Sequence, residues 1–571
     1  MMQRIPRRSL LKAAPLALAA CRRNEEAYFG NTEPPPTQHT VSVLDNEPAS
    51  LDPALSAGLV DSLILSLFEG LTSLQPSTAM PMAALATHYE LSTDGLRYTF
   101  YLRGHRRPRG TRLADTSDLP EDYSRGRAAP RDDAAALWSD GSRINSHDFV
   151  YSWRRALDPG MAAEYAFLLY PLKNAQAVNA GKLSPNQLGV RAVDDLTLEA
   201  ELDAPTPYFL ELVSNRIACA VPRHVIESLG VRWTDPGNMV SNGAFRLRER
   251  RPYENIGLER NPHYYDAGQV TLERLTFFIA RDLSTLVNEY RTGVVQQVFP
   301  WIPAIIPMLR RKKDFRPHPV YASDFVSINT TTPPFDDVRV RYALNMATDK
   351  RPIADSGGAG NIPASGVVPP SRHHEPLKSL PVTIDGAVCD VLSYNPAAAR
   401  ELLARSGKRL PERIEYLCPE DPDLQRWILK DQWRRNLGVE LVIRTVEFQT
   451  WLRESHIGGF PHLAASGSVG CFIDPVWFLD LFTKPDGYGT GWSDGCYQQA
   501  LMHARASADP ALRSAGIAAC ERRLLEAMPV VPIGHWVNSE LRKPFLRGLG
   551  ENLLDRQQFK YAWIDTNWRA S

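Results

Sequence analysis

The chain is poor in the features that mark several large classes of protein. Its 65 Lys and Arg residues are matched by 65 Asp and Glu residues, so no net charge favours nucleic acid or an anionic membrane surface. Beyond the N-terminus it contains no apolar run approaching the roughly 20 residues that a membrane-spanning helix needs. We therefore predict a body that neither binds nucleic acid nor crosses a membrane.

Motifs of common catalytic and metal sites are also missing. The sequence has no HExxH zinc motif and no GxxxxGK(S/T) phosphate loop, and its seven cysteines form no CxxC pair. His373 and His374 are adjacent in a Pro-rich stretch, where neighbouring side chains point apart, which favours a solvated loop over a metal site. We predict that the protein is not an enzyme and has no catalytic residue, no metal and no cofactor.

Size and composition indicate a globular protein of several parts. At 571 residues the chain is too long for a single compact domain, and 43% hydrophobic with 23% charged residues is the usage of globular proteins. The 45 prolines and 36 glycines suit many short connections better than a bundle of long helices. We expect two or three lobes, each with its own core.

Residues 1–21 have the layout of a secretory leader. A basic start precedes a short apolar stretch, and small residues stand directly before Cys21. The segment Leu18-Ala19-Ala20-Cys21 resembles the bacterial lipobox, whose cysteine is acylated, and Arg7-Arg8 is typical of a twin-arginine export signal. We predict lipid attachment at Cys21, a flexible tether over residues 22–39, and a periplasmic or cell-envelope location. The alternative is an N-terminal helix with an ordinary buried thiol.

The remaining cysteines are widely spaced along the body. An oxidising compartment would permit one or two disulfides among them, and buried free thiols are the alternative. They are Cys219, Cys389, Cys418, Cys471, Cys496 and Cys520.

Local patterns predict the first elements of the body. Residues 40–44 and 96–102 alternate like half-buried strands, and the apolar spacing of residues 62–71 predicts a helix. The stretch 103–136 is dense in Arg, Asp, Pro and Gly with little apolar content, so we expect a surface insertion there.

A second helix is predicted from Ser146, which is placed to cap its N-terminus. Phe149, Trp153 and Leu157 fall on one face of this helix before Asp158-Pro159-Gly160 ends it. Residues 193–202 contain an Asp-Asp turn followed by an alternating run, which indicates a hairpin.

A series of motifs resembles one known family. The chain carries WSDGS at 138–142, DFVYSWRRALDP at 148–159, SNGAF at 241–245, ERNP at 259–262 and FDDVRVR at 335–341. In order and spacing they are similar to motifs of the oligopeptide-binding proteins of bacterial ABC importers, solute-binding protein family 5. The resemblance extends from about residue 40 to the C-terminus.

The resemblance implies a mixed α/β, periplasmic-binding-protein type II-like fold, in which two lobes joined by a hinge close on a ligand and one lobe carries an extra domain. By similarity, the first lobe takes residues 40–72, 187–320 and 530–571, the added domain takes 73–186, and the second lobe takes 321–529. The chain then crosses between lobes more than once, as a hinge between rigid bodies requires.

Members of the family hold an extended peptide by pairing its backbone with strand edges of the cleft. The resemblance places these edges at Ala57-Gly58-Leu59 and at Ser468-Val469-Gly470-Cys471, where glycine permits close backbone approach. Oligopeptide binders also pair an aspartate with the α-amino group of the ligand. Cys471 stands at that position here, and Asp474 is the next acid. The ligand can then be N-blocked, differently anchored or not a linear peptide.

Further candidates for lining the cleft are aromatic, and core packing is the alternative for each. They are Trp301, Tyr321, Trp477, His535 and Trp536. As partners the resemblance implies a peptide-like ligand and an ABC permease with its ATPase. We expect a monomer that meets the membrane only through its lipid. Alternatives within the fold are a non-peptide ligand, such as a metal chelate, haem, a sugar or a cell-wall fragment, and a tethered peptide sensor.

Overall fold

The computed structural model of the chain describes residues 27–44, 46–56, 58, 60–124, 132–280, 282–300, 304–357, 359–420, 424–484 and 486–570. Sheets with helices packed on them make up this part, and buried hydrophobic side chains gather into several clusters. The predicted mixed α/β class, with two lobes and an added domain, is confirmed.

One sheet organises what we call the first lobe. Its strands lie in the order His39–Leu44, Arg274–Ile279, Asn255–Arg260 and Phe245–Arg251. The first pair is parallel and the others are antiparallel. Because the parallel pair joins segments far apart in sequence, this lobe is discontinuous along the chain.

An antiparallel sheet lies beside the first lobe. Its strands lie in the order Thr111–Arg112, Ala86–Leu91, Arg97–Leu102, Thr197–Glu201 and Val190–Asp194. The last two strands form the hairpin that was predicted for residues 193–202. Residue 186 is where the added domain was expected to end. The strand Arg97–Leu102 pairs with Thr197–Glu201, so this sheet joins residues on both sides of that boundary.

The largest sheet organises what we call the second lobe. Its strands lie in the order Gln297–Val298, Val530–Arg542, Phe315–Ile328, Leu463–Val469, Arg413–Pro419 and Glu440–Val446, with Ile362–Pro363 also paired to Val530–Arg542. Arg413–Pro419 runs parallel to both of its neighbours, whereas Phe315–Ile328 is antiparallel to its own.

The strands Phe315–Ile328 and Val530–Arg542 connect the two lobes. Phe315 and Leu541, at one end of the pair, lie in a cluster with residues of the first lobe. Val326, at the other end, lies in the core of the second lobe. Within the described residues, the chain therefore crosses between the lobes along this antiparallel ribbon.

A β-bulge interrupts this ribbon. Pairing stops after Pro319 and resumes at Ser323, while the partner strand moves only from Val537 to His535. Trp536 therefore stands opposite three residues of the other strand, 320–322. A bulge removes ladder hydrogen bonds and bends its strand, so the ribbon is most easily deformed at this point.

Helices and short strand pairs complete the described part. The short pairs are Thr72–Leu74 with Pro81–Ala83, Pro381–Ile384 with Ala387–Asp390, and Leu546–Arg547 with Trp563–Ile564. The α-helices span Asp61–Leu67, Glu121–Ser124, Ser146–Ala156, Ala175–Asn179, Phe209–Leu212, Arg223–Leu229, Leu283–Thr292, Ile306–Leu309, Val338–Met346, Lys350–Ser356, Pro396–Ser406, Gln425–Leu437, Phe448–His456, Val476–Leu479, Gly495–Ala506 and Pro510–Ala527. None of these helices in the described ranges has the length and hydrophobicity that a membrane span requires.

The helix predicted over 62–71 is shorter than expected. It spans Asp61–Leu67, because the backbone of Phe68 is extended and leads into the strand Thr72–Leu74. The apolar spacing continues past the helix, since Leu71 in the following bend and Leu74 in the strand are also buried. The strands predicted at 40–44 and 96–102 are confirmed as His39–Leu44 and Arg97–Leu102.

The helix Ser146–Ala156 is capped one residue earlier than predicted. The side chain of Asn145 accepts hydrogen bonds from the backbone of His147 and Asp148, and Asp148 accepts one from the N–H of Asn145. This reciprocal capping box leaves Ser146 inside the helix. The expectation that Ser146 is the cap is therefore wrong.

The stretch 103–136 packs more closely than its composition predicts. Leu113 and Leu119 are buried, and the guanidinium carbon of Arg103 lies 3.9 Å from the ring centroid of Tyr265. Residues 125–131 lie outside the described part. The described ends of the insertion are therefore anchored to the body.

Trp153 has the packing role that its position predicts. It is fully buried, and its indole N–H donates to the carbonyl of Ala218 at 2.9 Å. We expect Trp153→Ala to lower the free energy of unfolding by about 3–5 kcal/mol, because it leaves a cavity and an unpaired carbonyl. Equilibrium urea unfolding followed by circular dichroism measures this. Trp427, 56% exposed, is the matched control, and an equal loss in Trp427→Ala would contradict the packing role.

Candidate ligand-binding cleft

Side chains of the two lobes meet across the cleft. The ring of Tyr208, on the first-lobe side, stacks on Phe472 with 4.7 Å between centroids. Glu211 accepts a hydrogen bond from the backbone N–H of Ile473 at 2.9 Å and forms an ion pair with Arg372. Burial raises the pKa of Glu211, against the opposing effect of Arg372. These contacts hold the lobes together.

The strand Leu463–Val469 presents a partly open edge. One edge pairs with residues 322–328 over its whole length. The other pairs with Arg413–Pro419 only through Leu463 and Ala464. Beyond Ala464 this edge has no strand neighbour within the described residues.

Side chains cover part of this open edge. The indole of Trp451 donates to the carbonyl of Ala465, and the hydroxyl of Tyr488 donates to the carbonyl of Gly467, both at 2.9 Å. Val469, at the end of the strand, is exposed. The accessible end of the edge therefore coincides with the predicted segment that starts at Ser468.

Gly470 is held against Tyr321. Its N–H donates to the carbonyl of Tyr321 at 2.7 Å, and a Cβ at this position would stand 2.5 Å from Cδ1 of the tyrosine ring. No side chain fits there, so glycine is required. The Tyr321 ring is buried against Phe478, and burial raises its pKa well above the usual value. Tyr321 therefore belongs to the wall.

Trp477 links the two sides of the cleft. Its indole N–H donates to the hydroxyl of Ser468 at 2.9 Å. Its ring centroid lies 5.9 Å from that of Phe167, on the first-lobe side, and 5.5 Å from that of Phe472. The sequence-predicted residues Ser468 and Trp477 are thus brought together.

Asp474 is engaged in an internal ion pair. Both of its carboxylate oxygens lie 2.9 Å from one nitrogen of Arg513, and both side chains are buried. One oxygen also accepts a hydrogen bond from the backbone N–H of Val476 at 3.0 Å. Asp474 therefore has a cationic partner already.

The backbone of Cys471 is bound from the first lobe. Its carbonyl accepts hydrogen bonds from Arg556 at 3.0 Å and from Asn215 at 3.4 Å. Burial raises the pKa of the Cys471 thiol, so the thiol is neutral at neutral pH. Like the other cysteines of the described part, it is free, which favours the free-thiol alternative.

Arg216 and Arg556 share one carboxylate on the first-lobe wall. Nε of Arg556 lies 2.7 Å from Oδ2 of Asp61, and Arg216 pairs with Oδ1 of the same residue. The Arg216 guanidinium also lies 4.5 Å from the ring centroid of Tyr165. Burial, together with the charge of Arg556, lowers the pKa of Arg216 to about 10, so Arg216 stays charged at neutral pH.

His535 and Trp536 lie at the bulge between the lobes. His535 is buried with Nδ1 3.2 Å from the hydroxyl of Ser323, and burial lowers its pKa to about 3. Its imidazole is therefore neutral and packed within the sheet. Trp536 is 39% exposed.

The other candidates are not all described. Gly58 lies in an exposed bend before the helix Asp61–Leu67 with a φ of 74°, and not in a strand as expected for a cleft edge. The left-handed backbone suits glycine. Four candidates fall outside the described residues: Cys21, Ala57, Leu59 and Trp301.

Sequence reasoning missed the charged residues of the cleft. Arg216, Glu211, Arg372 and Arg556 were not candidates, because their partners are far away in the chain. One signal was available for Arg216, which stands in the otherwise uncharged run LVSNRIACAV at 212–221. A charge in such a run is either paired on burial or functional.

His374 departs from the predicted solvated loop. Its side chain is 5% exposed, with Nε2 2.9 Å from the carboxylate of the fully buried Glu521. Three or more metal-ligating side chains do not come together anywhere in the described part. His374 is therefore half of an internal pair, and the expectation of a solvated position is wrong for it.

The segment GWSDG at 491–495 has the letters of a serine nucleophile elbow. Such an elbow needs a strand that turns sharply into a helix. Here turns precede Gly491, and Asp494 caps the helix Gly495–Ala506 and pairs with Arg523. Ser493 is exposed, and no histidine of the described part is hydrogen-bonded to it. The geometry of an elbow is not built at this segment.

Two lobes on a deformable ribbon, with a strand edge and paired charges between them, define a two-lobed solute-binding protein. The family model "Bacterial extracellular solute-binding proteins, family 5 Middle" matches residues 134–490. The chain belongs to this family.

Named relatives cover most of the chain. The periplasmic murein peptide-binding protein MppA of Escherichia coli is 31% identical over 90% of both chains. The periplasmic oligopeptide-binding protein OppA of Salmonella typhimurium is 30% identical over 91% of both. The solved structure of the Escherichia coli murein tripeptide binding protein MppA matches with a TM-score of 0.74 and 28% identity, over 93% of this chain and 99% of that one.

Arg372 offers a test of how the lobes are held together. Besides the ion pair with Glu211, it donates to the carbonyl of Thr78 at 3.0 Å. We expect Arg372→Ala to remove about 1–2 kcal/mol from the closed arrangement, because both contacts join the lobes. With saturating peptides, the radius of gyration from X-ray scattering should then be larger than it is without the substitution. Arg405→Ala, whose partner Glu401 lies on the same helix, is the control. Equal dimensions for both variants would contradict the role of Arg372.

Proposed function

We propose that this protein is the solute-binding component of an ABC-type peptide importer. It captures peptide-like ligands between its lobes and delivers them, unchanged, to a membrane permease. The observation that carries the proposal is the set of side-chain contacts that closes two lobes over the open end of a strand edge at Val469. A ligand that touches both lobes stabilises this closed form by its differential contacts.

The relatives support a peptide as the ligand class. MppA of Escherichia coli is named for murein peptides and OppA of Salmonella typhimurium for oligopeptides, each at 30% identity or more over nine-tenths of the chain. A family fold alone does not settle ligand class. The strand edge adds a physical reason, since an extended peptide can pair its backbone with such an edge irrespective of side chains.

The cleft candidates take their roles in this proposal. Ser468 and Gly470 flank the open edge, Trp477 lines it, and Trp536 is exposed at the bulge. For the lobes we propose the boundaries implied by the resemblance, except that the hairpin at 190–201 completes the sheet of the added domain. The protein acts as a monomer without catalysis, in the periplasm or at the cell envelope.

Ligand-induced closure is the direct test of this function. We expect a saturating mixture of tri- to pentapeptides to reduce the radius of gyration measured by X-ray scattering, because closure brings two rigid bodies together. The peptides should be recovered intact afterwards by mass spectrometry. Unchanged dimensions at saturation, or cleaved peptides, would overturn the proposal. Compaction only with a non-peptide solute would favour another ligand class, and peptide closure without transport by a permease would favour a sensor.

We also propose a lipid anchor at Cys21, on the lipobox-like segment. We expect labelled palmitate to be incorporated into the protein in a bacterial host, and Cys21→Ser to abolish the label and release the protein from the membrane fraction. Cys496→Ser, which removes an exposed thiol of the body, is the control. Label that persists in Cys21→Ser would exclude this attachment site.

A further inference from the structure

The cleft wall carries an unbalanced buried charge. Arg216 and Arg556 have side chains that are 7% and 5% exposed, and the carboxylate paired with both is Asp61. One nitrogen of each guanidinium, Nη2 of Arg216 and Nη1 of Arg556, is buried without a hydrogen-bond partner. Two cations thus share one anion, and two donors point at no acceptor of the described residues.

Neighbouring acids do not supply the missing charge. Glu211 pairs with Arg372, and Asp474 pairs with Arg513. Glu164, beside Tyr165, is exposed to solvent and forms no ion pair with either arginine in the described part. The Cys471 thiol is neutral, since burial raises its pKa. Among the buried side chains of this wall, Arg216 and Arg556 therefore carry one positive charge more than their shared partner Asp61 balances.

We propose that Arg216 and Arg556 form a carboxylate subsite at Cys471, so that the ligand presents a carboxylate there and not a free α-ammonium. This inference rests on the proposed peptide-binding function. The ligand class is an anionic peptide-like molecule, whose carboxylate is either its C-terminus or an acidic group on a blocked N-terminus.

The hydrogen bonds at Cys471 show how a carboxylate would be accommodated. Arg556 donates to the Cys471 carbonyl at 3.0 Å, a neutral acceptor from the opposite lobe. A carboxylate accepts stronger, charge-assisted hydrogen bonds, and the planar guanidinium matches its two oxygens. It would use the unpaired donors and neutralise the second cation. An α-ammonium at the same place would meet two like charges.

Calorimetric titration of the full chain with four matched ligands tests the subsite. The ligands are trialanine amide, N-acetyl-trialanine amide, N-acetyl-trialanine acid and N-succinyl-trialanine amide. Two of them carry a carboxylate, N-acetyl-trialanine acid at its C-terminus and N-succinyl-trialanine amide at its blocked N-terminus. We expect at least one of these two to bind about tenfold or more tighter than trialanine amide and N-acetyl-trialanine amide, which have no carboxylate. Which one does so identifies the C-terminal or the N-terminal acid as the ligand group. Equal or tighter binding of trialanine amide would overturn the subsite.

Variants separate ligand contact from a structural role. We expect Arg556→Gln to weaken the preferred carboxylate about tenfold while leaving N-acetyl-trialanine amide unchanged, and Arg556→Lys to restore part of the loss. Arg216→Gln is the second variant, in case Arg556→Gln fails to fold. Arg246→Gln, which removes a charge paired with Glu259 on the first-lobe sheet, should change neither affinity. Equal weakening of acid and amide ligands would mean a structural role and overturn the inference.

The outcome also distinguishes this inference from the function on which it rests. If peptides compact the protein but trialanine amide binds as tightly as the ligands that carry a carboxylate, the importer function stands and the carboxylate subsite is wrong. If none of the four ligands and no peptide mixture binds, both are wrong.

Discussion

The antiparallel ribbon of Phe315–Ile328 and Val530–Arg542 is the constraint on which the rest of the structure depends. Its two strands are hydrogen-bonded on both sides of the bulge between Pro319 and Ser323, so each lobe is continuous with the ribbon. The lobes therefore face each other in a defined orientation. Without that ribbon, the side chains of the two cleft walls would have no fixed partners across the gap.

Charge pairing then decides what closure costs. Asp474 and Arg513 enter the interface already paired on one lobe, and Glu211 meets Arg372 across it, so the desolvation of these charges is compensated once the lobes close. Arg216 and Arg556 share the single carboxylate of Asp61, so this group brings one unbalanced positive charge into the interface. Closure over such a set is least costly when a ligand brings the missing anion, which links the energetics of the hinge to the choice of ligand.

Much of the fold follows from short-range pattern. Alternation over 96–102 and the apolar face with Trp153 predicted a strand and a helix that the structure contains. Boundaries were less predictable, because the apolar spacing after Leu67 continues into an extended segment and Asn145 competes with Ser146 for the cap. Each of these choices is made by contacts that a local pattern does not include.

By itself, the sequence determined the family, the order of motifs and the replacement of an acid by Cys471, because these depend only on residue identity along the chain. The tertiary structure alone decided that Asp474 forms an ion pair with Arg513 and that Arg216 and Arg556 both pair with Asp61. The physical reason is distance along the chain. A buried charge selects its partner only after folding has brought together segments that lie 39 to 495 residues apart in the chain.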